Sequence, residues 1–200
     1  MVSLSIKTDF KDLQKKMKAI PADLQKKVIP AALNKVIAKA NTEMVRGITS
    51  EFNIKASEVR ENLRVIKARS VGGNWQASLD PNVKSRRGRG FNLIRFAEKK
   101  VSLAEGRRRK KAGTQNDLRF NIKKGSSSKV IKGAFLGNNG RTVFARTGKE
   151  RLPIKALTTI DVPQMFNTKR ISKRVIDRIN AEMVVEFDRA INLAISRSAR

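Results

Sequence analysis

From Ile171 to Ile195 an apolar residue returns at every fourth position, through Val175, Ile179, Met183, Phe187 and Ile191, with Val184 and Ala194 beside the stripe. Residues four apart share one face of a helix, whereas a strand would alternate, so this spacing demands a long amphipathic helix over about 168–197 laid against an apolar partner. The opposite side carries Lys173, Arg174, Asp177, Arg178, Glu182, Glu186 and Arg189, a mixed-sign face suited to solvent or to a neighbouring subunit. Because the interval drifts off a heptad, the stripe reads as one side of a core rather than as a coiled-coil seam.

The partner is foreshadowed near the amino terminus. Phe10, Leu13, Met17 and Ile20 recur at helical spacing up to Pro21, after which Asp23 brings negative charge to the start of the next turn, where it is favourable. Pro30 removes an interior hydrogen bond and clashes with the preceding turn, which predicts a kink or break there and a long helix from about Ala31 to Ser50. Its apolar stripe is Leu33, Ile37, Ala40, Met44 and Ile48. Ser57 is placed to cap a short helix from Glu58 to Leu63, which completes a helical part over about 8–63.

The stretch over about 64–160 reads as β-rich. Val2, Leu4 and Ile6 already suggest a short first strand; Val65 to Arg69 and then Trp75, Ala77 and Leu79 make two more, closed by the turn Asp80-Pro81-Asn82. Phe91 to Phe96 and Val101 to Leu103 are weaker candidates, while Leu118, Phe120 and Ile122 alternate cleanly ahead of Val130 to Leu136. No long helix separates these segments, so pairing should be mainly antiparallel. The expected fold is α+β, one domain over 1–200 in which the long amphipathic helices pack on one twisted antiparallel sheet, with basic flexible loops at 84–90 and 106–116.

Between Gly133 and Phe166 the order of residues is more specific than a fold alone requires. Ala134-Phe135-Leu136 and Val143-Phe144-Ala145 flank Gly137-Asn138-Asn139-Gly140, a hairpin whose Gly and Asn absorb the positive-φ positions. Arg146, Gly148, Lys149 and Arg151 follow, then Leu152-Pro153-Ile154, and finally Val162-Pro163-Gln164-Met165-Phe166 at the entry to the last helix. Arg146 to Arg151 could form an anion nest or a basic turn against an acidic neighbour. This succession, together with Ala31-Ala32-Leu33-Asn34-Lys35 and the basic helix from Ser57 to Leu63, resembles the minor tail protein Z family of lambda-like phages and prophages. The matching stretches cover about half the chain, and the departure is greatest between Val71 and Asn121. The resemblance implies a structural tail-completion protein of the virion, assembled in the host cytoplasm as a ring of six subunits. It further implies a place between tail terminator and head connector, with double-stranded DNA in or near the channel, and it implies no catalytic residue and no cofactor.

Charge argues independently. Lys and Arg number 45 against 17 Asp and Glu, a formal net charge of +28. So basic a chain repels itself and favours polyanions: nucleic acid, a membrane surface or an acidic protein face. The excess is densest where Lys84, Arg86, Arg87, Arg89, Arg95, Lys99, Lys100, Arg107, Arg108, Arg109, Lys110 and Lys111 face only Glu98 and Glu105, twelve against two. Arg86, Arg87 and Arg89, and Arg107 to Lys111, are bounded by glycines and read as mobile loops that touch DNA phosphates or the acidic rim of a neighbouring protein.

Absences narrow the chemistry. With neither Cys nor His, thiol nucleophiles, Cys/His zinc sites and histidine bases are excluded. The pairs Glu58/Glu61 and Glu182/Glu186 lie among basic residues and look like ion-pair partners rather than an acid/base dyad, which leaves a metal-dependent nuclease without its carboxylates. Gly125-Ser126-Ser127-Ser128-Lys129 lacks the phosphate-loop spacing and reads as a flexible linker. No window approaches the roughly 20 apolar residues of a membrane span, and the first residues lack a signal-peptide pattern, so a soluble chain with no membrane partner is expected. A single Trp and no Tyr speak against stacking on single strands. The rival reading is a general, sequence-independent nucleic-acid-binding protein.

Overall fold

The computed structural model describes residues 15, 20–71, 74–81, 90–98, 108 and 118–198. The strand expected over Val2 to Ile6, the repeat Phe10, Leu13 and Met17, and the candidate Val101 to Leu103 lie outside the described residues.

Two helices of 30 residues each form the body: α1, Ala22–Glu51, and α4, Lys169–Ser198. Helix α1 continues through Pro30, so the expected kink or break does not end it there. An interior proline costs about 3 kcal/mol. Here its neighbours Val28, Ile29 and Ala32 are buried against Phe187 and Ala190 of α4, and that packing holds the turn in helical geometry. The helix starts instead after Pro21, whose carbonyl accepts from the N–H groups of Leu24 and Gln25.

The helices are antiparallel, since the start of α1 meets the end of α4 while Gly47 and Ile48 meet Ile171. A Cβ on Gly47 would lie 3.1 Å from Ile171 Cγ2, so glycine sets the closest approach of the pair. The central core joins Val36, Ala40, Met44 and Ile48 of α1 to Ile171, Val175 and Ile179 of α4. Phe52, Val59, Leu79, Phe96, Val162, Met165 and Phe166 close it from the side.

Helix α2, Ala56–Glu61, begins one residue before the expected cap: Lys55 occupies the cap without a side-chain bond, and Ser57 lies inside the first turn. Strands β1, Arg64–Val71, and β2, Asn74–Asp80, pair antiparallel with a register shift between Ile66 and Arg69. Asn34 of α1 accepts from the backbone N–H of Ala68 at 2.7 Å, within that irregularity, and so ties the hairpin to the helix.

The remaining strands are short: β3, Arg119–Phe120; β4, Lys129–Val130; β5, Ala134–Gly137; β6, Thr142–Arg146; and β7, Ile154–Ala156. The α+β class and the antiparallel pairing are as expected, but among the described residues the pairing is divided among three small sheets, β1-β2, β3-β4 and β5-β6-β7, instead of one. Phe91 to Phe96 is not a strand. Asn92 caps a 3-10 turn over Leu93–Phe96 by accepting from the N–H of Ile94. The run from Gly125 to Lys129 is a compact turn, not a linker: Ser126 donates from both N–H and Oγ to the Lys123 carbonyl, and Asn121 Nδ2 donates to the Ser126 carbonyl.

The hairpin of β5 and β6 forms as read, with Phe135 opposite Phe144 and Leu136 opposite Val143. Asn138 and Asn139 take φ of 52° and 54° and Gly140 a φ of 77°, the left-handed region that Asn and Gly tolerate best. A second core of Leu93, Leu118, Phe120, Ala134 and Val143 lies under it. Helix α3, Val162–Phe166, opens with a capping box in which the Asp161 side chain accepts from Gln164 N–H while Gln164 Oε1 accepts from Asp161 N–H.

Candidate interaction surface

Two groups of residues pointed to function in the sequence, the arginine loops and the motif from Gly133 to Phe166. Of the first group, Arg86, Arg87, Arg89, Arg107, Arg109, Lys110 and Lys111 lie outside the described residues; Arg108 is described, helical and exposed. What flanks them is firmly held. The N–H of Phe91 donates to Ile160 and the N–H of Thr159 to Phe91, while Gly90 lies so close to the Thr159 carbonyl that no Cβ would fit. On the far side, Glu98 N–H donates to Arg119 and Asn121 N–H to Phe96. From Gly90 onward the basic segment is rooted in the β-module, whereas at its start it leaves β2, which packs against α1.

The motif divides by burial. Met165 and Phe166 belong to the main core, and Pro163 sits in the first turn of α3, where its missing N–H is not needed. Gly133, at φ 75°, makes the turn into β5. The rest faces outward. Phe135 and Phe144 stack, with ring centroids 6.1 Å apart, on the face of the sheet opposite to buried Ala134 and Val143. Arg146 places its guanidinium 5.5 Å from the Phe135 ring centroid and donates to the Arg151 carbonyl at 2.9 Å. Thr147 donates from N–H and Oγ1 to the Pro153 carbonyl, so the loop is closed from both ends. Arg146 thus works inside its own loop, while Gly148, Lys149, Arg151, Leu152, Pro153 and Ile154 are all exposed.

An open groove of about 1040 Å³ runs between the helical part and this β-module. Lys55, Arg95, Lys124 and Arg141 line it together with Glu58, Glu98 and Asp161, and Arg95 is paired with Glu58, which leaves a slight positive excess.

Of the carboxylates read as ion-pair partners, Glu58, Glu182 and Glu186 are that. On α4, however, they face α1 and not solvent: Glu186 is 2% exposed. Lys39 Nζ donates to Glu182 and, at 2.6 Å, to Glu186; Lys35, Arg178 and Arg189 complete the cluster. Farther along, Glu43 pairs with Arg174 at 3.1 Å and Glu51 with Arg170 at 3.9 Å. Positions 35, 39, 43 and 51 thus meet 186, 182, 174 and 170, with the sign of charge exchanging midway. The hydrogen bond from Lys39 is the main cause that holds the carboxyls of Glu182 and Glu186 below the ordinary glutamate range, against the opposing effect of burial. Those two bonds, Glu182 first, raise the Lys39 ammonium above its usual value.

Sequence reasoning missed three asparagines. Asn34 holds the β1 irregularity, as above. Asn53 Nδ2 donates to the Asn121 carbonyl at 3.0 Å and joins the end of α1 to the strand that follows the basic segment. Asn92 accepts from Val143 N–H at 2.9 Å and donates to the Val143 carbonyl at 3.2 Å, which locks the hairpin onto the 3-10 turn. A lone Asn has no periodicity; the only cue was its place within otherwise apolar runs.

A rigid, charge-matched helical pair that carries a small β-module with an exposed, basic outer face describes a structural subunit built for contact. The chain belongs to the prophage minor tail protein Z family, whose family model matches residues 10–197. That membership makes it a structural protein of the phage tail, located in the virion. No curated protein and no solved structure matches the chain. Among the described residues no helix is long and apolar enough to cross a membrane.

Proposed function

We propose that this chain is a tail-completion protein, a ring subunit at the head-proximal end of the tail that joins the tail to the head connector and positions the DNA end. The family match over 10–197 carries this reading, and the net charge of +28 supports its polyanion part. The helical pair supplies the rigid body, because the charges along its seam are matched across the two helices. The ring, of six copies, meets the tail terminator on one side and the connector on the other. Arg86, Arg87, Arg89 and Arg107 to Lys111 face DNA or an acidic neighbour, since phosphate contact asks only for positive charge and donors within reach.

Quantitative mass spectrometry of purified tails tests the reading. A small fixed copy number relative to the major tail protein, consistent with one ring, is the expected result. Absence from particles, with recovery on cellular nucleic acid, would put the general nucleic-acid-binding reading in its place. Replacing Arg107, Arg108 and Arg109 by Ser then assigns the loops. Weaker DNA binding with tails still formed marks a DNA contact, and lost joining at unchanged DNA affinity marks a protein contact.

A further inference from the structure

Strand β7 ends the three-stranded sheet, and its free side is a strand-pairing edge. Thr147 N–H donates to the Pro153 carbonyl and Leu157 N–H to the Val143 carbonyl. With Ala145 opposite Lys155, the ladder bonds of this strand therefore fall on 153, 155 and 157. The N–H and C=O groups of Ile154 and Ala156 consequently point away from β6. Natural proteins blunt such an edge by covering it, shortening it or placing Lys and Pro on it; β7 is three residues long, follows Pro153 and carries Lys155, but it is left uncovered by the described residues. Here all three residues of β7 are exposed, and apolar side chains stand beside the edge: Leu152 is 67% and Ile154 41% exposed.

The outer face continues the same surface. Ala156 lies opposite Phe144, and Phe144 stacks on Phe135, so an apolar strip crosses the sheet toward β7. Charge selects the occupant. Between Arg146 and Ala156 stand Arg146, Lys149, Arg151 and Lys155 against Glu150 alone. A second copy of a chain carrying +28 is a poor match for such an edge. A nucleic acid would leave the backbone groups and the exposed leucine and isoleucine unused.

We infer that β7 takes up an extended segment of a different, acidic protein as a fourth strand, with apolar residues on the Phe144 and Ile154 face and carboxylates near Lys149, Arg151 and Lys155. Main-chain bonds to Ile154 and Ala156 supply affinity; alternation of apolar and acidic residues supplies specificity. The inference rests on the edge geometry and is independent of ring stoichiometry and of any DNA contact.

The test uses the full chain and a capped six-residue peptide of alternating Glu and Val as probe. A peptide of the same composition, with its three Glu followed by its three Val, serves as control. Fluorescence anisotropy reads binding, and amide hydrogen exchange reads where it occurs. The expected result is binding of the alternating peptide over its control, with new protection at Ile154 and Ala156. Ala156→Pro removes one outward N–H, which an edge position tolerates, and should weaken the peptide by about tenfold, the equivalent of one backbone hydrogen bond. Protection of the Leu157 amide is the fold control for that variant. Leu152→Ser, which leaves the backbone intact, should weaken binding as well. Equal binding of both peptides, an unchanged affinity for Ala156→Pro, or protection elsewhere overturns the inference. So does concentration-dependent protection of Ile154 and Ala156 in the chain alone, which would make a second copy the occupant, or their protection by duplex DNA but not by the peptide.

Discussion

Removing the Asn92 side chain should loosen the β5–β6 hairpin from the 3-10 turn over Leu93–Phe96. Its Oδ1 accepts two backbone N–H groups, from Val143 at 2.9 Å and Ile94 at 3.1 Å, and its Nδ2 donates to the Val143 carbonyl at 3.2 Å. The three bonds are not equal. The Val143 carbonyl also accepts from Leu157 N–H, so it keeps a partner when Nδ2 is lost. The Val143 N–H has no other acceptor, and its residue is fully buried. An orphaned buried donor costs about 1–3 kcal/mol, and loss of the cap on Ile94 adds about 1 kcal/mol, so Asn92→Ala should cost about 2–4 kcal/mol. With a urea slope of about 2 kcal/mol/M the midpoint falls by about 1–2 M. Asn92→Asp keeps the acceptor but sets a carboxylate oxygen against the Val143 carbonyl to which Nδ2 donated, so it should also cost stability at neutral pH, and part of that cost should be recovered as the carboxyl is protonated and can donate to the carbonyl. Urea unfolding followed by hydrogen exchange at the Val143 amide measures both. A cost for Asn92→Ala below about 1 kcal/mol, or an Asp variant that recovers no stability relative to the wild-type chain as its carboxyl is protonated, would refute the reasoning.

Gly47→Val should cost about 1–3 kcal/mol by overpacking Ile171, and combining it with Ile171→Ala should cost less than the sum of the two; strict additivity in thermal unfolding would mean that the two side chains do not compete for the same space. Because the Glu182 and Glu186 carboxyls are held low, their contribution to stability is complete above the ordinary glutamate value and is lost as pH falls through their lowered values. The raised Lys39 ammonium contributes below the ordinary lysine value and is lost as pH rises through its own. Replacing both glutamates by Gln should therefore flatten the acid limb of the stability curve, as read by midpoints between neutral pH and pH 3. Asn34→Ala orphans the Ala68 N–H and should cost about 1–2 kcal/mol, with faster exchange confined to β1 and β2 in a hydrogen-exchange map.

Local patterns in this chain were readable, and the couplings between them were not. The four-residue apolar interval located α4 within a residue at each end, and Gly137 to Gly140 marked its hairpin, because each signal lies in consecutive residues. Pro30 misled because an interior proline is judged by its own turn, while the energy that keeps the helix intact comes from Phe187 and Ala190, far along the chain. The polar side of α4 was taken as a solvent face for the same reason. Nothing in 170–189 says that Lys35, Lys39 and Glu43 stand opposite with matching signs. A single sheet was expected from many short strands, yet β3, β4 and β7 have only two or three residues each, too few to bridge their neighbours into one ladder. The Arg loops, readable as charge, lie mostly outside the described residues.

The placement of charge explains how so basic a chain keeps a stable body. Acidic residues are scarce, 17 against 45 cations, yet Glu43, Glu51, Glu182 and Glu186 are all spent on the seam between α1 and α4. There they face cations from the other helix, partly out of water, where pairing is least screened by salt. The close approach at Gly47 sets the spacing of the two helices at that end of the seam. The two helices still carry 12 Lys and Arg against 7 Asp and Glu, so the matching holds for the seam alone; the cations on the outer faces of the helices, on the β-module and between Lys84 and Lys111 remain in excess. A subunit organised this way fixes its body with a matched seam and keeps positive charge on its outside for an acidic partner.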